Sequence, residues 1–548
     1  MKKLLSVITL ALGLANMQAQ EVASLSDTLQ VNGSVGARFV GYGANGIDSR
    51  RNPLSYVLYG NINIQKGDFS IPLSFTYSEQ ERSFTQPFNQ FGIAPTYKWI
   101  KVYAGYQNVN WSKFGMAGHQ LLGGGLELTP GKWRFGVVGG RLQRATGIDS
   151  VNAGSYLPMF KRTGYTAKLG YGTQSSFCDL VFFQAKDDPN SLPFFPTDST
   201  AKVLPGQNTV VSFRSMVQVS SAIGLYADGA LSIINRNVLA PVIDANKSGI
   251  WNINGPPNIS TQVYAAIEAG TNISFKSQNF NFNYKRITPD YNSYGAYFIE
   301  NDINAFNFRH GFAVWKNKIA LNYGLGMFSD NLLNKKLVTT TRYQPNVNVS
   351  FNPTHKFGID VNWMDVYTSQ ADGLQAVNDT IRMDNRNPGL TITPRYSWGN
   401  TTTYNMFMLN YMNMRMIDRN AFTSVYAEYS TQIINLMYSL TLGAKGQGFT
   451  AGLNRTENKT SAFDEVGYGG SAGYNQSWKE GKISANATVA TQFTNINTNV
   501  TFNTGGNYNL TEKQIGGLML TYLINRTENE NSRNFSEFTG VLSYTLNF

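Results

Sequence analysis

The 548-residue chain has a single cysteine, Cys178, so no intrachain disulfide can form, and one thiol does not by itself identify a compartment. Charge is scarce: Asp, Glu, Lys and Arg make up 14% of the residues, against roughly 25% in ordinary soluble domains. After residue 20 there is no apolar run of about 18 residues, which excludes a membrane-spanning helix there. No proline-rich or charge-rich linker divides the chain into domains. His119, His310 and His355 stand far apart, with no zinc-ligand spacing, and no nucleophile elbow, metalloprotease signature or phosphate loop occurs. No catalytic, cofactor-binding or metal-binding residue is therefore assigned, and the chain reads as a non-enzyme without a cofactor.

Glycine (52), tyrosine (30) and phenylalanine (34) are abundant instead. Met1-Lys2-Lys3, the apolar run Leu4–Ala15 and the small residues up to Gln20 form a secretory signal, cut after Ala19 or Gln20. The signal holds no cysteine, so no lipid anchor is expected on it. The formal charge of +11 falls by two, to +9, when Lys2 and Lys3 leave. Lys and Arg are scattered among turns and loops rather than gathered in patches, which argues against a nucleic-acid partner.

The remainder alternates with period two. In the last stretch Leu542, Tyr544, Leu546 and Phe548 share one face, and Val541, Ser543, Thr545 and Asn547 share the other. Phe69, Ile71, Leu73, Phe75 and Tyr77 repeat the pattern, with Pro72 marking a local disruption or bulge. Leu126–Thr129, Pro130-Gly131 and Lys132–Phe135 read as a hairpin. A two-residue type II turn there pairs Leu128 with Trp133 and Glu127 with Arg134. Leu126, Leu128, Trp133 and Phe135 then face out, and Glu127 and Arg134 face in. Arg141 and Arg144, farther along, fall on opposite faces by strict alternation. The purest alternation sets Phe280, Phe282 and Tyr284 against Asn279, Asn281, Asn283 and Lys285. Few charges, no spanning helix and many alternating aromatic segments leave one architecture able to live in lipid, a closed barrel.

The signal, the tight-turned strands and the terminal Phe548 together resemble large outer-membrane β-barrels. The glycine- and asparagine-rich style further resembles those of the Bacteroidota, without selecting a specific family. The resemblance implies an all-β fold, a single transmembrane antiparallel barrel, and counting the alternating segments gives about 26 strands (range 22 to 26). Residues 1–20 would be the signal peptide, 21–28 a short periplasmic leader and 29–548 the barrel. That leader is too short for the plug domain of energised uptake barrels. Short turns such as Pro130-Gly131 and Lys479-Glu480-Gly481 are expected in the periplasm. The longer connections 144–161, 187–204, 237–258, 329–340 and 368–388 are expected outside the cell. The resemblance also implies residence in the cell outer membrane and contact with outer-membrane lipids and lipopolysaccharide. Leu542, Tyr544, Leu546 and Phe548 would then be the insertion signal read by the barrel-assembly machinery.

Glu127, Arg134, Asn279, Asn281, Asn283 and Lys285 are the lumen-facing candidates. The Glu127–Arg134 pair reads first as a cross-strand ion pair and second as a charged constriction. Met406, Met408, Met412, Met414 and Met416 share one parity, which reads as flexible apolar side chains facing lipid or a membrane partner rather than a copper track. Polar inward faces fit a hydrated lumen and an interior filled by folded loops equally well. Two functions stay open. One is an outer-membrane channel or transporter for solutes. The other is a non-catalytic structural or accessory subunit of a larger outer-membrane secretion, assembly or uptake complex, with protein or lipoprotein partners.

Overall fold

The computed structural model describes residues 28–78, 90–147, 158–192, 203–243, 252–376, 378–527 and 533–548. The expected signal peptide and nearly all of the 21–28 leader lie outside these residues.

Twenty-six antiparallel strands follow one another round a closed barrel, the architecture of large outer-membrane barrels. The first thirteen are β1 (Gln30–Asn45), β2 (Leu54–Lys66), β3 (Phe69–Ser78), β4 (Gln90–Ile93 continued by Thr96–Tyr97), β5 (Ile100–Asn108), β6 (Gln120–Leu128), β7 (Trp133–Gln143), β8 (Arg162–Gly172), β9 (Phe177–Asp187), β10 (Gln207–Gln218), β11 (Ile223–Asn235), β12 (Thr261–Phe275) and β13 (Gln278–Ile287). The rest are β14 (Ile303–Val314), β15 (Ile319–Ser329), β16 (Val338–Phe351), β17 (Phe357–Met364 and Tyr367–Asp372), β18 (Asp384–Arg386 and Gly389–Gly399), β19 (Thr403–Asp418), β20 (Tyr429–Leu442), β21 (Gln447–Thr460), β22 (Asp464–Trp478), β23 (Ile483–Thr494), β24 (Asn497–Asn509), β25 (Gln514–Thr527) and β26 (Phe535–Asn547).

Closure comes from β26 lying on β1, in register from Ser34 opposite Asn547 to Asn45 opposite Ser536. Phe548 and Gly33 exchange backbone hydrogen bonds at 3.0 and 3.3 Å, so the last residue completes the seam. A barrel has no free edge, and every strand finds both neighbours. Short turns, including Pro130-Gly131 and Lys479-Glu480-Gly481, join the strands at one end, and the long connections gather at the other together with the short ones at 461–463 and 495–496.

Following the register from strand to strand carries one face unbroken round the wall. The outer face holds Leu542 and Tyr544, which are 56% and 42% exposed, and rows such as Tyr396–Phe407–Tyr438. Phe69, Leu73, Phe75 and Tyr77 lie on it as expected. Pro72 leaves its own strand's pairing with β2 intact. Lacking an N–H, Pro72 has nothing to donate on its other side. The interruption falls there, between the two pieces of β4, where the Ala94 N–H donates to the Pro72 carbonyl at 3.1 Å.

The expected register of the Pro130-Gly131 hairpin is corrected by two residues. Leu128 lies opposite Phe135, and Glu127 lies opposite Gly136. The cause is a competing partner: the Thr129 N–H donates to the Trp99 carbonyl at 2.8 Å instead of closing on Lys132. Pro130 therefore opens the turn, its carbonyl accepting from Trp133 N–H at 3.1 Å, and Gly131 takes the positive φ of 61°. A shift of two preserves parity, so Glu127 and Arg134 keep a common face without pairing.

The methionine stripe is also on the other side from the expected one. Met406, Met408 and Met412 share the inner face with Asn410, which lies in a row with Asn435 and Asn454. Both parities of β19 are apolar, so alternation alone does not orient it, and the neighbouring strands do.

Candidate functional site in the barrel interior

Strands ~4.8 Å apart and tilted ~40° make a round wall of this many strands about 50 Å across, too wide for facing side chains to meet. The chain fills part of that space with two connections from the loop end, residues 109–119 and 288–302. They meet in a short parallel pairing of Met116–Ala117 with Gly295–Ala296. Tyr291 donates its hydroxyl to the Phe114 carbonyl at 3.0 Å, Ser293 donates to the Gly115 carbonyl at 2.6 Å, and Phe114 meets the Tyr291 ring edge-on.

This pair packs on one arc of the wall. Trp111, 7% exposed, lies against Gly136, where a Cβ would come within 2.5 Å of the indole. A glycine in β7 is therefore what admits the ring. Buried Val138, Val181, Phe183, Val210, Ala230 and Ala266 continue the apolar contact. Asn208 accepts the Tyr294 N–H at 3.0 Å, and Ser232 donates to the Asn292 carbonyl at 2.6 Å. His119 stacks on Tyr297 at 4.2 Å between centroids.

Most charges of this arc are satisfied in pairs, while Lys101 lies 4.8 Å over the Tyr103 ring. Lys168 donates to Glu127, whose other oxygen accepts the Tyr103 hydroxyl at 2.6 Å, and the Lys168 ammonium sits 4.8 Å over the Trp111 ring. Arg134 grips Asp179 through two bonds of 2.7 and 3.0 Å. Arg162 grips Asp187 in the same way, 3.5 Å over the Tyr294 ring. Lys113, on the first connection, reaches Glu268 at 2.5 Å. Bidentate Arg–carboxylate geometry in a poorly hydrated wall holds these groups as a scaffold. The structure therefore separates Glu127 from Arg134 and gives each a partner from farther along the chain.

The asparagine candidates lie at the border of this arc. Asn283 donates to the Tyr226 hydroxyl at 2.8 Å and to Glu268 at 3.0 Å, Asn281 donates to Asn272 at 2.6 Å, and Asn279 lies opposite Ser274. Lys285 sits 4.0 Å from Glu300 of the second connection. At the loop end Asp302 accepts the Asn331 and Leu332 N–H groups at 3.0 and 2.9 Å and the Lys336 ammonium at 2.5 Å. Burial works to raise its pKa, but these donors outweigh burial and hold the carboxyl below its usual range.

The opposite arc is different. From β15 onward, among the described residues, the only buried apolar side chain is Val541. The inner rows of β19–β25 are mostly amides, hydroxyls, glycines and methionines, with Ile433, Ala490, Ile515 and Leu523 among them: Asn435 donates to Asn410 at 3.4 Å, Asn525 to Asn499 at 2.6 Å, Thr521 to Asn503 at 2.9 Å and Thr431 to Asn458 at 2.9 Å. Asp418 and Glu465, both near the loop end, are the charged residues on these inner rows. Alternation marks such rows as polar, but only the inward connections show which arc the described residues leave unfilled. Trp111, Phe114 and Met116, apolar in a segment where a surface loop would be polar, were the available hint. No group of three or more His, Cys, Asp or Glu that could hold a metal occurs among the described residues.

No protein-family model matches the chain, and no curated protein matches it. Solved outer-membrane barrels do. OpdK of Pseudomonas aeruginosa, solved with vanillate, is 12% identical over 63% of this chain and 93% of its own, with a TM-score of 0.31. OccK2 (OpdF) of Pseudomonas aeruginosa is 11% identical over 94% and 98%, with a TM-score of 0.30. The translocation pore of the P pilus usher PapC is 8% identical over 94% and 99%, with a TM-score of 0.41. Likeness at this level concerns the fold class alone.

Proposed function

We propose that the protein is an outer-membrane channel that passes uncharged, hydrogen-bonding solutes through the unfilled arc of its barrel and performs no covalent chemistry. The observation that carries this reading is the inner wall of β19–β25, neutral but for Asp418 and Glu465 near the loop end, set opposite an arc whose charges are mostly paired and whose space is partly filled. Asparagine offers donors and an acceptor together, matching the hydroxyls of a polyhydroxylated solute, while a neutral wall concentrates neither sign of ion. The exposed apolar outer face supports residence in the outer membrane, among its lipids and inserted by its assembly machinery through the strand ending at Phe548.

The test is single-channel recording in a planar bilayer, with folding checked by heat-modifiable gel migration. Discrete conductance with a near-zero reversal potential in a salt gradient is expected, and swelling assays should show neutral sugars entering faster than charged solutes of equal size. The pair Asn435→Asp and Asn454→Asp should turn the channel cation-selective, because carboxylates in that row meet no counter-charge. Strong ion selectivity in the unmodified protein would overturn the solute class. A folded but silent barrel that co-purifies with other outer-membrane proteins would overturn the channel and favour an accessory subunit.

A further inference from the structure

Three cations stand together on the outer face at the loop end. Arg141 of β7, Lys161 just before β8 and Lys186 of β9 line a shallow concavity of about 620 Å³ with Leu122, Thr163, Tyr165 and Gln184. Register explains the grouping: Leu122 lies opposite Arg141, Arg141 opposite Thr163 and Thr163 opposite Lys186, one row across four strands. Among the described residues no carboxylate lines the concavity. Asp187 is turned to the interior by Arg162, and the Asp188 carboxylate accepts the Asn190 N–H at 3.0 Å. Arg162, Arg134, Lys168 and Lys113 in the interior all have acidic partners. Among the described residues Arg141, Lys161 and Lys186 form no ion pair, so no described carboxylate compensates these three charges.

Height identifies what they would meet. Trp133 starts β7 at the turn end, beside the Tyr171 ring. From there to Arg141 the strand climbs about 20 Å at ~3.3 Å per residue and ~40° tilt, close to the ~25 Å of an outer-membrane apolar band. Below the cations lie exposed Val137, Leu169 and Tyr165. An aromatic residue at the boundary with basic residues just above it places the cluster at the level of lipid headgroups.

We propose that Arg141, Lys161 and Lys186 form a binding site for the phosphate-bearing headgroup of a lipid in the loop-end leaflet. Arg141 supplies a fork matched to phosphate oxygens, the two lysines supply mobile point charges, and Leu122 and Tyr165 flank the upper part of the acyl chains. The site lies on the outer surface and does not depend on what the interior conducts.

The experiment uses the full-length protein in phosphatidylcholine nanodiscs containing a small fraction of lipid A, with retained lipid counted by mass spectrometry. The variant Arg141→Gln, Lys161→Gln, Lys186→Gln should retain at least about tenfold less lipid A at low salt while keeping its heat-modifiable fold. A control with three turn-end substitutions, Lys132→Gln, Lys479→Gln and Lys482→Gln, removes the same charge and should retain lipid A as the parent does. Added salt should release the lipid from the parent. Equal retention by parent and site variant would overturn the assignment, as would equal loss in the control, which would reduce it to net charge. Displacement of lipid A by millimolar inorganic phosphate would mean that the site reads free phosphate, and would overturn the lipid as its ligand.

Discussion

Trp111→Ala should release the interior filling without unfolding the barrel. The indole is buried between Gly136 and the Lys168 ammonium, and it sits next to Ser112, whose backbone exchanges hydrogen bonds with Met116 at 3.3 and 3.2 Å. Truncating a buried tryptophan costs about 3 to 5 kcal/mol, and the lost cation–π contact adds about 0.5 kcal/mol or more. The wall strands hold their own ladders, so the loss falls on the opening of residues 109–119. A drop of about 3 kcal/mol in opening free energy is a factor of roughly 150 in the open population. Hydrogen exchange in detergent or nanodiscs should show the Ser112, Gly115 and Met116 amides exchanging some hundredfold faster, with β6 and β7 unchanged. Single-channel conductance should rise as the filler leaves its arc. Acceleration of less than about tenfold with the barrel intact would refute the claim that this ring holds the connection in place.

Two further outcomes follow from the charges. Lys168→Met leaves Glu127 in the interior with Tyr103 as its remaining hydrogen-bond partner, a loss of about 3 to 5 kcal/mol for a broken buried pair, and Glu127→Gln added to it should restore most of that. The midpoint of heat-modifiable migration reads both variants; equal loss in the single and double variants would show that the groups are not coupled. Asp302 has a folded pKa below its unfolded value, so its contribution is complete above the ordinary carboxylate range and is lost as pH falls through the depressed value. Protection of the Asn331 and Leu332 amides, corrected for intrinsic exchange, should persist from neutral pH down to about 4 and fall only below it. Loss between pH 7 and 5 would contradict this anchor.

Much of the barrel is legible in the chain because its signal is local. Side-chain period two decides which residues share a face, so Leu542 and Tyr544, Phe69 to Tyr77, and the asparagines 279 to 283 separate from their neighbours without any knowledge of pairing. The tight turns and the closing strand that ends at Phe548 follow from the same reading, as does the strand number. What the sequence left open depends on contacts between distant residues. The Thr129 N–H bonded to Trp99, and so the true register of Glu127, comes from a neighbouring turn rather than from the hairpin itself. The inward methionines of β19 obey the register of the whole wall, since either face of that strand is apolar enough to lie outside. Which arc of the lumen is filled depends on Trp111 finding Gly136 and Tyr291 finding Phe114, pairings between segments far apart in sequence. Alternation encodes a face but carries no distance, so the sequence determined a closed barrel with a polar interior, and only the tertiary structure decided which arc of that interior the described connections fill.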